Sequence, residues 1–469
     1  MKITRKIIAA AFAAALSVFM TIPAFAQNAE ISVYVNGERL SLDESPRSED
    51  DRTLVPMRAI FEALGAEVKW DGDTETASAS LNGTTVSLTV DGGVMLKNGS
   101  EIALDVPARM YGDRVLVPVR AVSEAFGSYV DWDEGEQTVF VDDRENPMQG
   151  TVVTDEYRYP NYDGSFANVH IFDKDYSEFF GMELLQITDE QGAAYAEMIN
   201  SFKNAVPSAN VYNLIAPTAA EFYAAGGYQT HYTPSIRKIY SRLSPEVIGV
   251  NAVKPLMEHA GENIYFRTDH HWTQLGAYYA YSAFINVAGD TIDPPDTFSS
   301  EDIYGYYGSL TRFTSGTGGY DLLTRSPDVL RLYYPKVWYS GRSYNDMYLS
   351  DYIKSMSLVS PGYGNYNCFI EGDYPIEVYS TGVENGRSLA IIKESYGNAF
   401  ATWAVNNFET VYIIDYRKFN NYGQTGEYTN EFSISEFHEL TGFTDLLIIS
   451  YPVSVTNTPE FTALSAMAR

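Results

Sequence analysis

The chain has 469 residues and a formal net charge of −29, from 32 Lys+Arg against 61 Asp+Glu. With 45% hydrophobic and only 20% charged residues there is ample material for a core, so a disordered acidic chain is excluded. The shortage of cations excludes a broad nucleic-acid surface, because phosphate contacts need Lys and Arg, and disfavours an electrostatic hold on anionic lipid. At about 100–200 residues per domain, two or three domains are expected. The 37 Tyr suit neutral polar partners such as sugars, or simply fill half-buried strand positions.

Lys2, Arg5 and Lys6, the apolar run from Ile7 to Phe19 and the small-x-small site Ala24-Phe25-Ala26 read as an export signal over residues 1–26, with a mature chain from Gln27. The run is short for a bilayer span, and no later one is long enough for a second anchor. A secreted or cell-surface location is expected, without stable membrane insertion after cleavage. The lone Cys368 has no partner for an intramolecular disulfide, which fits a Gram-positive cell surface; its simplest role is a small core residue.

A tandem repeat follows. Arg52-Thr-Leu-Val-Pro-Met-Arg58-Ala-Ile-Phe-Glu-Ala-Leu-Gly65 recurs 62 residues later as Arg114-Val-Leu-Val-Pro-Val-Arg120-Ala-Val-Ser-Glu-Ala-Phe-Gly127. Pro56 and Pro118 suit a first helical position, and Gly65 and Gly127 end the helices. Met57, Ile60, Phe61 and Leu64 form one apolar stripe. Asn36-Gly37 and Asn98-Gly99 mark hairpins before each helix, and a strand ending in Trp70-Asp71 or Trp132-Asp133 follows it. The unit is hairpin, helix, hairpin, twice. On these motifs residues 27–143 resemble the copper amine oxidase N-terminal-like (stalk) domain of exported Gram-positive proteins. That resemblance implies a spacer or wall-associated accessory module. The segment contains no His and no Cys, the preferred copper ligands.

Residues 144–165 are polar, with Asn146-Pro147 and Tyr159-Pro160, and read as a linker. Beyond them strands are expected at Asn210–Ala216, Glu246–Ala252, Ile264–Phe266, Ser388–Lys393, Thr410–Ile414 and Asp445–Ser450. Helices are expected at Thr273–Val287, at Asn398–Asn407 and after a capping box at Ser433–Glu436. This alternation predicts an α/β fold, a parallel sheet flanked by helices, with its site at the carboxyl ends of the strands. Residues 300–385 break the pattern and read as an insertion over the site or at its rim.

Two motifs carry chemistry. In Tyr265-Phe-Arg-Thr-Asp269-His270-His271-Trp272, alternation in extended chain lets Asp269 and His271 face one pocket while His270 points away. An Asp beside a His fixes its tautomer and stabilises the imidazolium, as a general base requires. In Ile391-Ile-Lys-Glu-Ser395-Tyr-Gly-Asn398, a hydroxyl sits between a buried strand and a helix N-terminus, whose amides suit an oxyanion. Each has a plainer alternative: Ser395 as an N-cap, Asp-His-His as a metal site lacking a further ligand nearby. His170, His231, His259 and His438 have no motif around them.

Together with Val411-Tyr-Ile-Ile-Asp415-Tyr-Arg417, these motifs resemble the DHHW protein family, which is similar to the alginate O-acetylation proteins with SGNH-hydrolase-like domains. The resemblance runs over residues 166–469. It implies Ser395 as nucleophile, His271 as general base and Asp269 as its orienting partner. Arg417, Asn398 and Trp272 are weaker candidates for substrate contact, with a surface ion pair preferred for Arg417 and packing for Trp272; Asp415 reads as structural. The relatives carry Asp before the Ser, and here it is Glu394. The implied activity is carbohydrate O-acetylesterase or O-acetyltransferase chemistry on a wall or exopolysaccharide polymer, with no cofactor or metal and, for a transferase, a membrane acyl-donor protein as partner. The alternative is a non-catalytic carbohydrate- or wall-binding surface protein. The acidic balance favours a neutral or cationic sugar polymer unless Lys393 and Arg417 form a basic patch.

Overall fold

The computed structural model describes residues 30–228, 230, 232–419 and 432–469; the expected export signal and His231 lie outside them. Among the described residues no helix is long and apolar enough to cross a membrane.

The two repeat copies are related by a local two-fold axis. Strands Arg52–Pro56 and Arg114–Pro118 pair antiparallel, with Val55 opposite Val117, Leu54 opposite Pro118 and Leu116 opposite Pro56. Arg47–Glu49 and Arg109–Tyr111 flank them at matching positions. Pro56 and Pro118 close their strands and stand just before helices Met57–Ala63 and Val119–Ala125, one position earlier than the pattern predicts. A residue without an N–H fits both the strand end and the helix entry. Gly65 and Gly127 follow at φ of 82° and 91°, which glycine adopts without a Cβ penalty. The Asn-Gly hairpins form as expected, and Val55, Val117, Ile60 and Val122 lie in one core shared by both copies.

The stretch expected as a linker is seated on the larger unit. Asn146 Nδ2 donates to the Arg237 carbonyl and to Ser241 Oγ, and Asn161–Phe166 opens a three-stranded antiparallel sheet with Val169–Asp173 and Phe179–Met182.

The larger unit is built on an eight-stranded sheet, ordered Val247–Gly249, Asn210–Ile215, Asp445–Ser450, Ser388–Lys393, Thr410–Asp415, Ile376–Thr381, Tyr339–Tyr344, Tyr352–Met356. The first five strands are parallel, as the strand–helix alternation predicts. The last three are antiparallel, so the sheet is mixed. They come from residues 300–385, which therefore extend the sheet as well as buttressing the site. Leu389–Ile392 and Leu446–Ile449 are fully buried, as continuous apolar runs in central parallel strands should be. Helices Gln274–Val287 and Tyr396–Ala404 pack on each other beside this sheet. The expected strand at Ile264–Phe266 is reduced to one bridge, Tyr265 to Trp272, because the chain turns back at once. Ser433 accepts from the Glu436 amide as an N-cap, while the reciprocal capping box stands at Thr188 and Gln191. Cys368 is buried.

Candidate active site

Ser395 stands two residues past the end of the Ser388–Lys393 strand, after Glu394, and immediately precedes the Tyr396–Ala404 helix. The helix begins two residues earlier than expected, which places Ser395 at the N-cap position. Its hydroxyl does not cap the helix: the residue is already in right-handed helical conformation (φ −64°, ψ −23°) and makes no side-chain cap bond. The Glu394 carboxylate does that work instead, accepting from the Tyr396 amide at 2.9 Å. Gly397 permits the tight turn, since a Cβ there would overlap the Lys393 side chain. Ser395 is the one half-exposed residue in the buried run Leu389–Phe400.

The hydroxyl instead meets His271. Nε2 of His271 lies 2.8 Å from Ser395 Oγ, and Nδ1 lies 2.6 Å from Asp269 Oδ1. Asp269 also accepts from the His271 amide at 3.1 Å, from Tyr306 Oη at 2.6 Å and from the Ser309 amide at 2.8 Å. Burial alone would raise the Asp269 carboxyl; the His271 ring and these donors hold it well below the ordinary carboxylate range.

The loop that carries the pair is clamped on every side. Asp328 accepts from the amides of Arg267 (3.0 Å) and Thr268 (2.8 Å) and from Thr268 Oγ1 (2.5 Å). Gly308 lies so close that a Cβ would overlap Asp269. The Tyr366 ring stacks on His271 at 3.9 Å and 8°. Trp272 is wholly buried and donates its indole N–H to the Tyr396 carbonyl at 2.9 Å, which ties the His loop to the Ser395 helix. Its role is therefore positional, and it presents no face to substrate.

His270 does not point clear of the site. The chain bends at residues 267–271 instead of running extended, so the His270 ring lies 3.8 Å from that of His271 and its Nδ1 meets Ser309 Oγ at 2.5 Å. Burial and the neighbouring His271 lower its pKa to about 4, so His270 is neutral at ordinary pH. Asp269, His270 and His271 are close enough to present three ligand atoms to one metal. However, both Asp269 oxygens and both His271 nitrogens already have hydrogen-bond partners, and a metal would have to displace them.

Beneath Ser395 lies an ionic network. The wholly buried Lys393 donates to Asp415 (2.9 Å), Asp373 (3.1 Å) and Asn398 Oδ1 (2.7 Å). Arg417 pairs with Asp415 (2.6 Å) and Asp373 (3.0 Å). Burial pushes the Lys393 ammonium down, but Asp415 and Asp373 outweigh it and its pKa is raised. Asn398 is buried with both ends of its amide taken up here, so it braces the turn rather than reaching substrate. Arg417 and Lys393 are neutralised by these aspartates and form no free basic patch. Glu394 and Glu377 are buried too, and burial raises each to about 8. Among the described residues Glu394 Oε1 has no hydrogen-bond partner.

The sequence motifs singled out Asp269, His271, Ser395 and the Glu394 departure. Tyr306, Ser309, Asp328, Tyr366 and Asp373 were missed because they come from the 300–385 stretch, which carries no motif. The only hint was that this stretch breaks the strand–helix alternation and reads as an insertion over the site or at its rim.

Two family profiles match the chain: "Copper amine oxidase N-terminal domain" over residues 34–141 and "DHHW protein" over residues 158–414. No curated protein matches. Among solved structures, a DHHW family protein from Eubacterium siraeum is 29% identical with a TM-score of 0.56, covering 66% of this chain and 98% of its own. Bacillus cereus PatB1, solved with a sulfonyl adduct, is 16% identical (TM-score 0.47; 61% of this chain, 96% of its own). The O-acetyltransferase domain of Pseudomonas putida AlgJ is 13% identical (TM-score 0.35; 62% and 97%). The DHHW profile spans more than half of the residues and includes all three members of the Asp269–His271–Ser395 chain of hydrogen bonds, and the protein belongs to the DHHW protein family.

Proposed function

We propose that this protein is an exported, SGNH-hydrolase-like acyl-ester enzyme that acts on carbohydrate at the cell surface, with Ser395, His271 and Asp269 as its triad. The observation that carries the reading is that His271 is engaged at both ring nitrogens, by Asp269 on one side and Ser395 on the other. With Asp269 at Nδ1, the Nδ1–H tautomer is favoured and the Nε2 lone pair faces the hydroxyl. Ser395 Oγ attacks the carbonyl carbon of an acetyl ester and its proton passes to His271 Nε2. Asp269 stabilises the imidazolium. The tetrahedral intermediate collapses, the departing sugar oxygen takes the proton back from Nε2, and an acetyl-serine remains. Water then yields acetate, or a second sugar hydroxyl takes the acetyl group.

The amide of Ser395 supports an oxyanion site. Those of Tyr396, Gly397 and Asn398 are already taken by the Glu394 carboxylate, the Glu394 carbonyl and the Ser395 carbonyl, whereas no acceptor among the described residues takes the Ser395 N–H. For a transferase, a membrane acyl-donor protein would load Ser395.

The test is acetyl release from p-nitrophenyl acetate and from acetylated glycans, wild type against Ser395→Ala. Loss on the order of 10³-fold or more is expected. Equal rates in the two proteins would sink the nucleophile assignment.

A further inference from the structure

The repeat copies together build two equivalent grooves. The first, of about 900 Å³, is lined by Pro56, Arg58, Glu62 and Trp70 of one copy, with Arg114 of the other closing it against Asp43. The second, of about 840 Å³, is lined by Pro118, Arg120, Glu124 and Trp132, with Arg52 closing it against Asp105. Each residue of the first set stands 62 positions from its counterpart in the second, and the closing ion pairs match, Arg114–Asp43 at 2.6 Å and Arg52–Asp105 at 2.7 Å. The two-fold axis through Val55 and Val117 therefore produces the same site twice from exchanged halves.

Most of the repeated residues are explained by the fold. Asp71 and Asp133 accept turn amides, from Asp73 at 2.9 Å and Glu136 at 2.8 Å, and the glycines end helices. The tryptophans are not explained this way. Trp70 and Trp132 are 40% and 36% exposed, and each stands in its groove. An exposed Trp gives no core packing that a smaller residue could not replace. Likewise the Arg58–Glu62 and Arg120–Glu124 pairs, at 4.0 and 3.5 Å on exposed helix faces, contribute little to stability, although Arg120 also donates to the Val130 carbonyl at 2.8 Å.

We propose that the twin grooves are glycan-binding subsites, each taking pyranose rings of an uncharged or amine-bearing polysaccharide. An indole face packs against the C–H face of a pyranose ring, and the guanidinium and carboxylate that flank it at each groove bridge adjacent hydroxyls. The charge selects against uronates: the chain as a whole carries a net charge of −29, the first groove offers no excess of cations to offset it, and the second carries an excess of carboxylate, including Asp51 and Glu134. Trp132 also lines the cleft of about 570 Å³ between the repeat unit and the larger unit, beside Arg158 and Arg237, so the second groove opens toward the DHHW portion. Two sites on one rigid unit bind a polymer far more tightly than either binds a short oligomer. The proposal does not depend on the ester chemistry.

Calorimetric titration of the full chain with cellohexaose, chitosan hexamer and oligogalacturonate tests it. Cellohexaose or the chitosan hexamer should bind at two sites per chain, and oligogalacturonate should not. Trp70→Ala and Trp132→Ala should each leave one site and weaken polymer binding on the order of 10- to 100-fold. The double variant should lose both of these sites while melting as wild type does. The surviving groove in each single variant reports that the unit is folded, and Trp70→Phe, which keeps an aromatic face, should retain both sites. Binding of the galacturonate alone, binding of none of the three, or unchanged binding by the folded double variant overturns the proposal.

Discussion

Charge is placed differently in the two regions of this molecule. In the twin-repeat unit the ion pairs are largely solvent-exposed: Arg52–Asp105, Arg114–Asp43, Arg58–Glu62 and Arg120–Glu124 all have both partners open to water. Such pairs contribute about 0–1 kcal/mol each, so they are free to be spent on a ligand. In the DHHW region the charges nearest Ser395 are inside, although pairs such as Lys336–Asp293 lie at the surface. Asp269, Lys393 and Asp415 are buried, Asp373 is about three-quarters so, all four are partnered, and they lie at or beneath Ser395. Buried charges are costly to leave unpaired, so this arrangement fixes geometry. The repeat unit holds its groove charges where they can exchange partners, and the Ser395 site holds its charges where they cannot.

The sharpest test of the buried side is Asp269→Asn. The amide keeps the shape but loses the negative charge and can favour the wrong His271 tautomer. Ester turnover should fall on the order of 10⁴-fold with the fold retained, read as kcat at fixed substrate. A loss below about tenfold would mean that the buried carboxylate only packs, and the contrast between the regions would fail at its centre.

That pair was legible in the sequence because a local motif encodes it. Asp269 and His271 are two residues apart, and Ser395 lies where a buried strand meets a helix. The repeat was legible for the same reason, as 62-residue periodicity with hairpin and helix signals in each copy. What supports the pair was not. Tyr306, Tyr366, Asp328 and Asp373 reach the site only through long-range folding of a stretch with no periodicity of its own. The mixed character of the sheet was missed likewise, since its three antiparallel strands come from that stretch. The bend that brings His270 against His271 is set by Asp328 and Gly308, neither of them near it in sequence.

The junction between the regions supplies the second test. Arg237, on helix Tyr232–Ser241, reaches into the repeat unit to Asp131 (2.7 Å) and Asp142 (3.0 Å) and covers the Phe140 ring. Arg237 and Asp142 are almost wholly buried, so this pair follows the rule of the DHHW region although half of it belongs to the other. Arg237→Ala leaves Asp142 buried and unpaired, and should destabilise the chain by about 3–5 kcal/mol in urea unfolding. A change under about 1 kcal/mol would show that the junction behaves as surface, and that the two units are held by contacts other than charge.

The smallest effect concerns Glu394, a buried acid beside Ser395 with one oxygen left without a partner among the described residues. In the folded chain its carboxyl holds a proton up to about pH 8, against an ordinary value of 4.5. Between those values the native state binds more protons than the unfolded chain, so its contribution makes stability fall as pH rises from about 4.5 to 8, then level off. Glu377, also raised to about 8, adds a slope of the same sign. Asp269 and Asp373, both held low, act oppositely: their contribution is present above the ordinary carboxylate range and is lost as acid protonates them. Glu394→Gln keeps an oxygen for the Tyr396 amide and removes the titration. It should leave stability at pH 5 nearly unchanged and raise it at pH 8 by about 1–3 kcal/mol, with the slope from Glu377 and the other raised carboxyls remaining. Thermal unfolding at the two pH values measures this. Equal shifts at pH 5 and pH 8 would mean that Glu394 is ionised in the fold and carries its charge as the other buried carboxylates do, with a partner that compensates it.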